Sequence, residues 1–217
     1  MFCPTKNKMV AIIPTILEQD FKKFRQKLDI ISPCVDRISI DVIEQSFRDN
    51  QTLFPQDWGQ IPDNLQIDVH LMVNQPILWV KQSIKAGAKT IIGQLETIGD
   101  QAEFVKVVKN FGVKSGLALQ IETPIEKIDP QLFSRLNCVL LMGIEIGFAG
   151  QQFQPQVLAK IKQAKQLLPP GIEVGVDGGI SLETGRQCLE AGADILCVNS
   201  FLWSDLANNL AKLQNLS

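Results

Sequence analysis

Short apolar segments alternate with longer amphipathic ones along nearly the whole chain. An apolar run at 9–14 precedes a stretch at 18–31 in which apolar residues recur at helical spacing, the pattern of a strand followed by a helix. Further strand-like runs lie at 37–42, 65–72, 90–95, 115–120, 138–144, 172–177 and 195–198. These eight runs, each separated from the next by a helix candidate, predict repeated βαβ units and a parallel sheet.

Turn and cap chemistry agrees with that reading. Gly87 and Gly192 sit in the similar junctions Lys85-Ala-Gly-Ala and Glu190-Ala-Gly-Ala, where glycine can take the left-handed conformation that ends a helix. Thr123-Pro-Ile-Glu126 has the form of a capping box with proline at the first helical position. The stretch 44–62 is longer and more polar than a simple loop requires, which marks it as a lid, a binding loop or part of an interface. The units recur too closely for a second domain, so one domain over 1–217 is predicted. A closed (β/α)8 TIM barrel and an open doubly wound sheet both fit, and about eight strands in 217 residues favour the barrel. In either, ligands meet the C-terminal ends of the strands.

Composition narrows the function. The 21 basic and 23 acidic residues give a formal charge of −2 with no long run of either sign, which speaks against a nucleic-acid or membrane-surface role. No window approaches the length of a membrane span. The opening Met1-Phe-Cys-Pro-Thr lacks the apolar core and cleavage site of a secretory signal, so a cytoplasmic location is expected. The five cysteines, Cys3, Cys34, Cys138, Cys188 and Cys197, show no CxxC spacing and read mostly as small buried hydrophobes. His70 is the single histidine and tyrosine is absent. That excludes any zinc site built on two or three histidines and leaves acid–base chemistry to Asp, Glu, Lys, Cys or His70.

Polar residues interrupt three of the apolar runs: Ser39 and Asp41, Asp68 and His70, and Asp177. A buried charge must be paired, bound to metal or functional. Asp41, His70 and Asp177 come from three strands that a barrel would aim at one axial point, and two carboxylates with one imidazole can hold a divalent metal or move protons. Taken singly, each is as well explained as an ordinary buried polar residue. Asp68 lies nearer its strand's start and reads as structural. A second constellation comprises the turns Gly147-Phe-Ala-Gly150 and Gly178-Gly179, both ahead of helices, together with Asn199-Ser200. Glycine turns let backbone amides approach an anion and a helix N-terminus adds a favourable dipole, so these segments form a candidate phosphate site, where barrels commonly place one.

Asp68-Val-His-Leu-Met72, Gly147-Phe-Ala-Gly-Gln151 and Val176-Asp-Gly-Gly-Ile180, in that order, resemble the ribulose-phosphate 3-epimerase family. Ile13-Pro-Thr-Ile-Leu17 followed by Asp20-Phe21 is similar to that family's first strand, so the resemblance runs from about Val10 to Trp203. It implies a (β/α)8 barrel that inverts the carbon next to the carbonyl of a ketose phosphate such as ribulose 5-phosphate or xylulose 5-phosphate. It further implies Asp41 and Asp177 as the two proton-transfer groups. A divalent zinc, manganese or iron(II) ion would be held by His70, Asp41 and Asp177, and Met72 and Met142 would line the enediolate. The substrate-binding set is then Thr15, Met72, Met142, Gly147, Phe148, Ala149, Gly150, Gly178, Gly179, Asn199 and Ser200. The implied partner is a small sugar phosphate, and family members are often homo-oligomers.

The sequence departs from the family pattern at several of these positions. Ser39 stands where the family has its fourth metal ligand, a histidine. Ile43 replaces a methionine, Gln94 a fourth-strand histidine, Thr15 a serine, Glu145-Ile146 an Asn-Pro, and Asn199 a glycine. Water, Glu44 or Glu145 could fill the vacated ligand position. Two readings follow: an epimerase with weakened metal binding or a shifted substrate, and a non-catalytic sugar-phosphate-binding barrel. A lysine-dependent aldolase or decarboxylase fits less well, since Asp68-Val-His-Leu-Met72 offers no lysine.

Overall fold

The eight apolar runs form strands β1 (Ala11–Ile16), β2 (Arg37–Ile43), β3 (Gln66–Met72), β4 (Ala88–Gln94), β5 (Lys114–Leu119), β6 (Cys138–Met142), β7 (Glu173–Asp177) and β8 (Ile195–Val198). All neighbours pair in parallel in chain order, and β8 pairs back to β1, closing the barrel. The structure, a computed structural model, describes residues 10–216; Cys3 and the first residue of the run at 9–14 lie outside them.

Closure follows from strands that are apolar on both faces. Outward residues such as Ile40, Val69, Leu117, Val139 and Val174 pack under the helices in one large core. Inward residues Ile13, Ile92, Ala118, Leu140 and Ile195 fill the barrel as a separate cluster. The covering helices are α1 (Phe21–Ile31), α2 (Pro76–Lys85), α3 (Gln101–Asn110), α4 (Gln156–Leu167), α5 (Leu182–Glu190), α6 (Ser200–Ser204) and α7 (Leu206–Gln214). Gly87 and Gly192 follow α2 and α5 with φ of 101° and 108°, as their predicted role as helix stops requires.

A helix does not separate every pair of strands. Between β2 and β3 the chain makes only a three-residue 3₁₀ turn, Pro55–Asp57, and between β5 and β6 only the 3₁₀ turns Ile125–Lys127 and Pro130–Arg135. The expected capping box at Thr123–Glu126 is not formed: Pro124 takes the cap position with no side-chain hydrogen bond. The turn ends at Ile128, which is extended with ψ of 126°, and Pro130 then disfavours helical geometry at Asp129, so the helix does not resume there. Cys138, Cys188 and Cys197 are buried as expected, whereas Cys34 is exposed. Among the described residues, no helix is long and apolar enough to cross a membrane.

The N-terminal end of the barrel is closed by charge. Arg37 Nε lies 2.9 Å from Asp68 Oδ2, and Arg37 Nη1 lies 3.5 Å from Glu173 Oε2. Asp68 is therefore a structural group, as its early place in the strand predicts.

Candidate active site

Register brings the three candidate residues together. Asp41 and His70 are paired positions on β2 and β3, and Asp177 ends β7 beside Met142 on one side and Cys197 on the other. Side chains alternate along a strand, so Asp41 and His70 share the inner face with Ser39 and Asp68, one inward step nearer the strands' C-terminal ends. His70 is fully buried, with Nδ1 3.5 Å from Asp41 Oδ1 and 3.5 Å from Asp177 Oδ2. At that length these are electrostatic approaches rather than formed hydrogen bonds. Accordingly His70 Nδ1 and Asp41 Oδ1 are buried without a hydrogen-bond partner.

The charges respond to this confinement. Burial first, and then the Asp177 charge, raise the Asp41 pKa to about 6 against the opposing pull of His70. Burial alone would lower His70, but Asp177 and Asp41 outweigh it and raise its pKa to about 9. Two carboxylates around one imidazole nitrogen demand a cation between them, and either a proton or a metal ion meets that demand.

The donor atoms of Asp41, His70 and Asp177 all lie within 4.8 Å of one another, and no other group of three or more such residues is found among the described residues. One imidazole nitrogen and two carboxylate oxygens, two of these atoms orphaned, fit a divalent ion. Ser39 does not join them. Glu44 is engaged elsewhere, its Oε2 accepting from the Asn74 N–H at 3.1 Å, and Glu145 is exposed. Neither carboxylate belongs to the group, although Glu145 lines the cavity above it.

Above the carboxylates opens a cavity of about 240 Å³ lined by Asp41, Asp177, Met72 and Met142, by 147–150, Gly178 and Gly179, and by Asn199 and Ser200. Thr15 is the one member of the predicted substrate set that does not line it; its hydroxyl is buried without a partner beneath the cavity. Met72 and Met142 pack with Ile43 and Ile146 into a small apolar shelf, so the Ile43 replacement keeps the surface apolar.

The two glycine turns expose backbone donors. Gly147 and Gly150 have φ of 129° and 81°, and Gly178 and Gly179 have φ of 102° and 69°, values closed to most side chains. None of the N–H groups of 147–150, Gly178 or Gly179 donates to another described residue. The second turn leads directly into α5, whose Ser181–Thr184 capping box satisfies its first amides. The first is followed by α4 only at Gln156, so its donors are those of a turn, not of a helix end as expected.

Sequence reasoning missed the residues that hold this arrangement. Thr52 Oγ1 donates to Asp41 O at 2.7 Å and accepts from Ile43 N at 2.9 Å, fixing the end of β2. Asn50 Nδ2 donates to Gly147 O at 2.5 Å, and Arg48 Nε donates to Ile146 O at 3.2 Å. All three come from the stretch 44–62, which is clamped on the Gly147 turn, and its length was the only signal available.

Similarity to known proteins agrees with this geometry. The profile of the Ribulose-phosphate 3 epimerase family matches residues 11–203. The ribulose-phosphate 3-epimerase of Bacillus subtilis (strain 168) is 33% identical over 202 residues, covering 90% of this chain and 93% of its own. That of Chlamydia trachomatis serovar D is 34% identical over 215 residues, covering 94% and 91%. Among solved structures, a mutant tryptophan synthase alpha-subunit from Pyrococcus furiosus superposes with a TM-score of 0.65 at 14% identity, covering 96% of each chain. Tryptophan synthase of Mycobacterium tuberculosis gives 0.64 at 16%, covering 97% of this chain and 90% of its own. Both likenesses are of fold alone. With the profile spanning nearly the whole barrel and two relatives above 30% identity, the chain belongs to the ribulose-phosphate 3-epimerase family.

Proposed function

We propose that the protein epimerises a ketose phosphate of the ribulose 5-phosphate type by two-base proton transfer, with Asp41 and Asp177 as the bases. The observation that carries this is the pair itself: two buried carboxylates, from β2 and β7, line one cavity together with the apolar shelf of Met72 and Met142. Inversion at carbon requires removal of a proton from one face and delivery to the other. One carboxylate, ionised, takes the proton from the carbon next to the carbonyl; the other, protonated, returns one from the opposite side, and exchange with solvent restores the starting charges. In the metal-free site burial and the Asp177 charge raise the Asp41 pKa to about 6, near working pH, where a base is available in either state. A barrel kept only for binding would gain nothing from holding Asp41 where burial and the Asp177 charge penalise its ionised form.

His70, Asp41 and Asp177 would hold a zinc, manganese or iron(II) ion, which would supply Lewis acidity to the substrate oxygens beside the exchanging carbon. Met72 and Met142 exclude water from the carbon while it carries charge. The free amides at 147–150, Gly178 and Gly179, with Asn199 and Ser200, bind the phosphate. Phe148, half exposed on the first turn, lines the cavity.

The test is deuterium incorporation into ribulose 5-phosphate in heavy water with each metal added. Wild type should interconvert the epimers and label the carbon next to the carbonyl. Asp41→Asn and Asp177→Asn should each slow epimerisation by roughly 10²–10⁴-fold, one variant still labelling one epimer without inverting it. Full epimerisation in both variants would refute the two-base mechanism.

A further inference from the structure

We propose that Gln94 is a positioning residue that keeps the proton of neutral His70 on Nε2 and thereby aims the Nδ1 lone pair into the space between Asp41 and Asp177. Gln94 ends β4, is fully buried, and lies 2.8 Å from His70 Nε2. Its orientation is set by what surrounds it. With the carboxamide oxygen on His70, its nitrogen donates to Glu96 Oε2 at 3.0 Å and to Ala118 O at 3.3 Å; turned over, the oxygen faces only acceptors and the nitrogen only donors. Glu96 is in turn fixed, since its Oε1 accepts from the Gln120 N–H at 2.9 Å. A relay therefore runs from the end of β5 through Glu96 and Gln94 to the imidazole.

The consequence follows from counting protons. A carboxamide oxygen can only accept, so His70 Nε2 must carry the hydrogen, and a neutral imidazole has one. In that neutral form, the one a metal ion requires, Nδ1 is bare, and no protein hydrogen bond engages it. Without an acceptor at Nε2, the proton would move to Nδ1, drawn by Asp41 and Asp177 at 3.5 Å each. The imidazole would then occupy with hydrogen the place a cation needs. Gln94 works against that tautomer, as partners on the second nitrogen of metal-ligating histidines commonly do. The inference rests on the reading that the three residues hold a metal.

His70 is the only histidine in the 217 residues, so tag-free protein labelled with [¹⁵N]histidine yields one imidazole spin system that needs no assignment. With zinc bound, Nε2 should keep a directly bonded, slowly exchanging proton and Nδ1 should be the nitrogen that shifts. In a competition assay against a chromogenic chelator, Gln94→Met, similar in shape but without an acceptor, should bind zinc about 10–100-fold more weakly. Gln94→Glu combined with Glu96→Gln, which keeps an acceptor on His70 and a donor–acceptor pair between positions 94 and 96, should restore binding. In the zinc-bound protein a proton on Nδ1 or zinc on Nε2 would overturn the proposal, as would Gln94→Met binding zinc as tightly as wild type. If Gln94→Met fails to fold, the wild-type spectrum and the Gln94→Glu, Glu96→Gln double variant decide. If wild type binds no zinc, manganese or iron(II), the metal reading fails. The metal-free spectrum then still judges Gln94, because an imidazole lacking the Nε2 proton rules its role out.

Discussion

Asp41 and Asp68 are both buried aspartates on the inner face of the barrel, and substitution should separate them completely. Asp68 stands two residues before His70, roughly 6.6 Å nearer the N-terminal end at strand rise, with its Oδ2 2.9 Å from Arg37 Nε. Removing one partner of a buried pair strands the other charge, a loss of about 3–5 kcal/mol. Arg37 keeps Glu173 at 3.5 Å and a side chain 18% exposed, so Asp68→Ala belongs near the lower bound, about 3 kcal/mol. For a chain of this size each kcal/mol lowers Tm by roughly 2–4 °C, which places the expected drop at about 6–12 °C. Burial, the largest influence on Asp68, raises its pKa despite Arg37, so the ionised pair is held at a cost. Arg37→Met with Asp68→Leu should therefore recover most of the loss, since apolar replacement of a buried pair is often neutral or better. Thermal unfolding followed by circular dichroism measures all three proteins, and turnover below Tm should stay near wild type in each. Loss of turnover in well-folded Asp68→Ala would refute the structural assignment, and a double variant as unstable as the single one would refute the pair argument.

Gly179 has φ of 69°, and a Cβ there would lie 2.7 Å from Phe153 Cα; Gly179→Ala should cost about 1–3 kcal/mol and weaken binding of inorganic phosphate measured by calorimetry. Asn50→Ala frees the Gly147 carbonyl and should raise KM for the ketose phosphate more than it lowers kcat, read from steady-state kinetics. Burial lowers the Lys160 pKa to about 8 against the pull of Glu96 and Glu122. The unfolded chain then holds a proton that the folded chain has released between about pH 8 and the ordinary lysine value, so stability should rise with pH across that window. Denaturant titrations of Lys160→Met should lack that rise.

The strands were legible because their cause is local: apolar runs of the right length, punctuated by glycine, specify buried parallel strands, and all eight formed within a few residues of their predicted bounds. Of the two crossovers without a helix, 44–62 was marked as a loop by its length and polarity, whereas 123–136 was not, because its capping-box sequence does not reveal that the chain turns extended at Ile128 ahead of Pro130. The Asp41–His70–Asp177 group was readable since each residue breaks an apolar strand near its C-terminal end, where a barrel concentrates ligands. What holds the group was hidden for the opposite reason. Asn50 meets Gly147 across 97 positions and Gln94 meets His70 across 24, and a carboxamide in a sequence carries no mark of the acceptor it will face.

Ser39 brings these strands of argument to one point. Its register partners are Thr15 on β1 and Asp68 on β3, so its side chain starts one inward step below Asp41, and a hydroxymethyl group is too short to reach the donor atoms above it. An imidazole there could reach them, and Ser39→His should tighten zinc binding by at least the roughly 10–100-fold that changes around metal ligands commonly produce. The gain requires that the orphaned Thr15 hydroxyl beside it marks room rather than tight packing. If Ser39→His folds, binds zinc no better than wild type and leaves the His70 imidazole spectrum unchanged, the donor set of three is complete in itself, and the loss of the fourth ligand cannot be what limits this enzyme's chemistry.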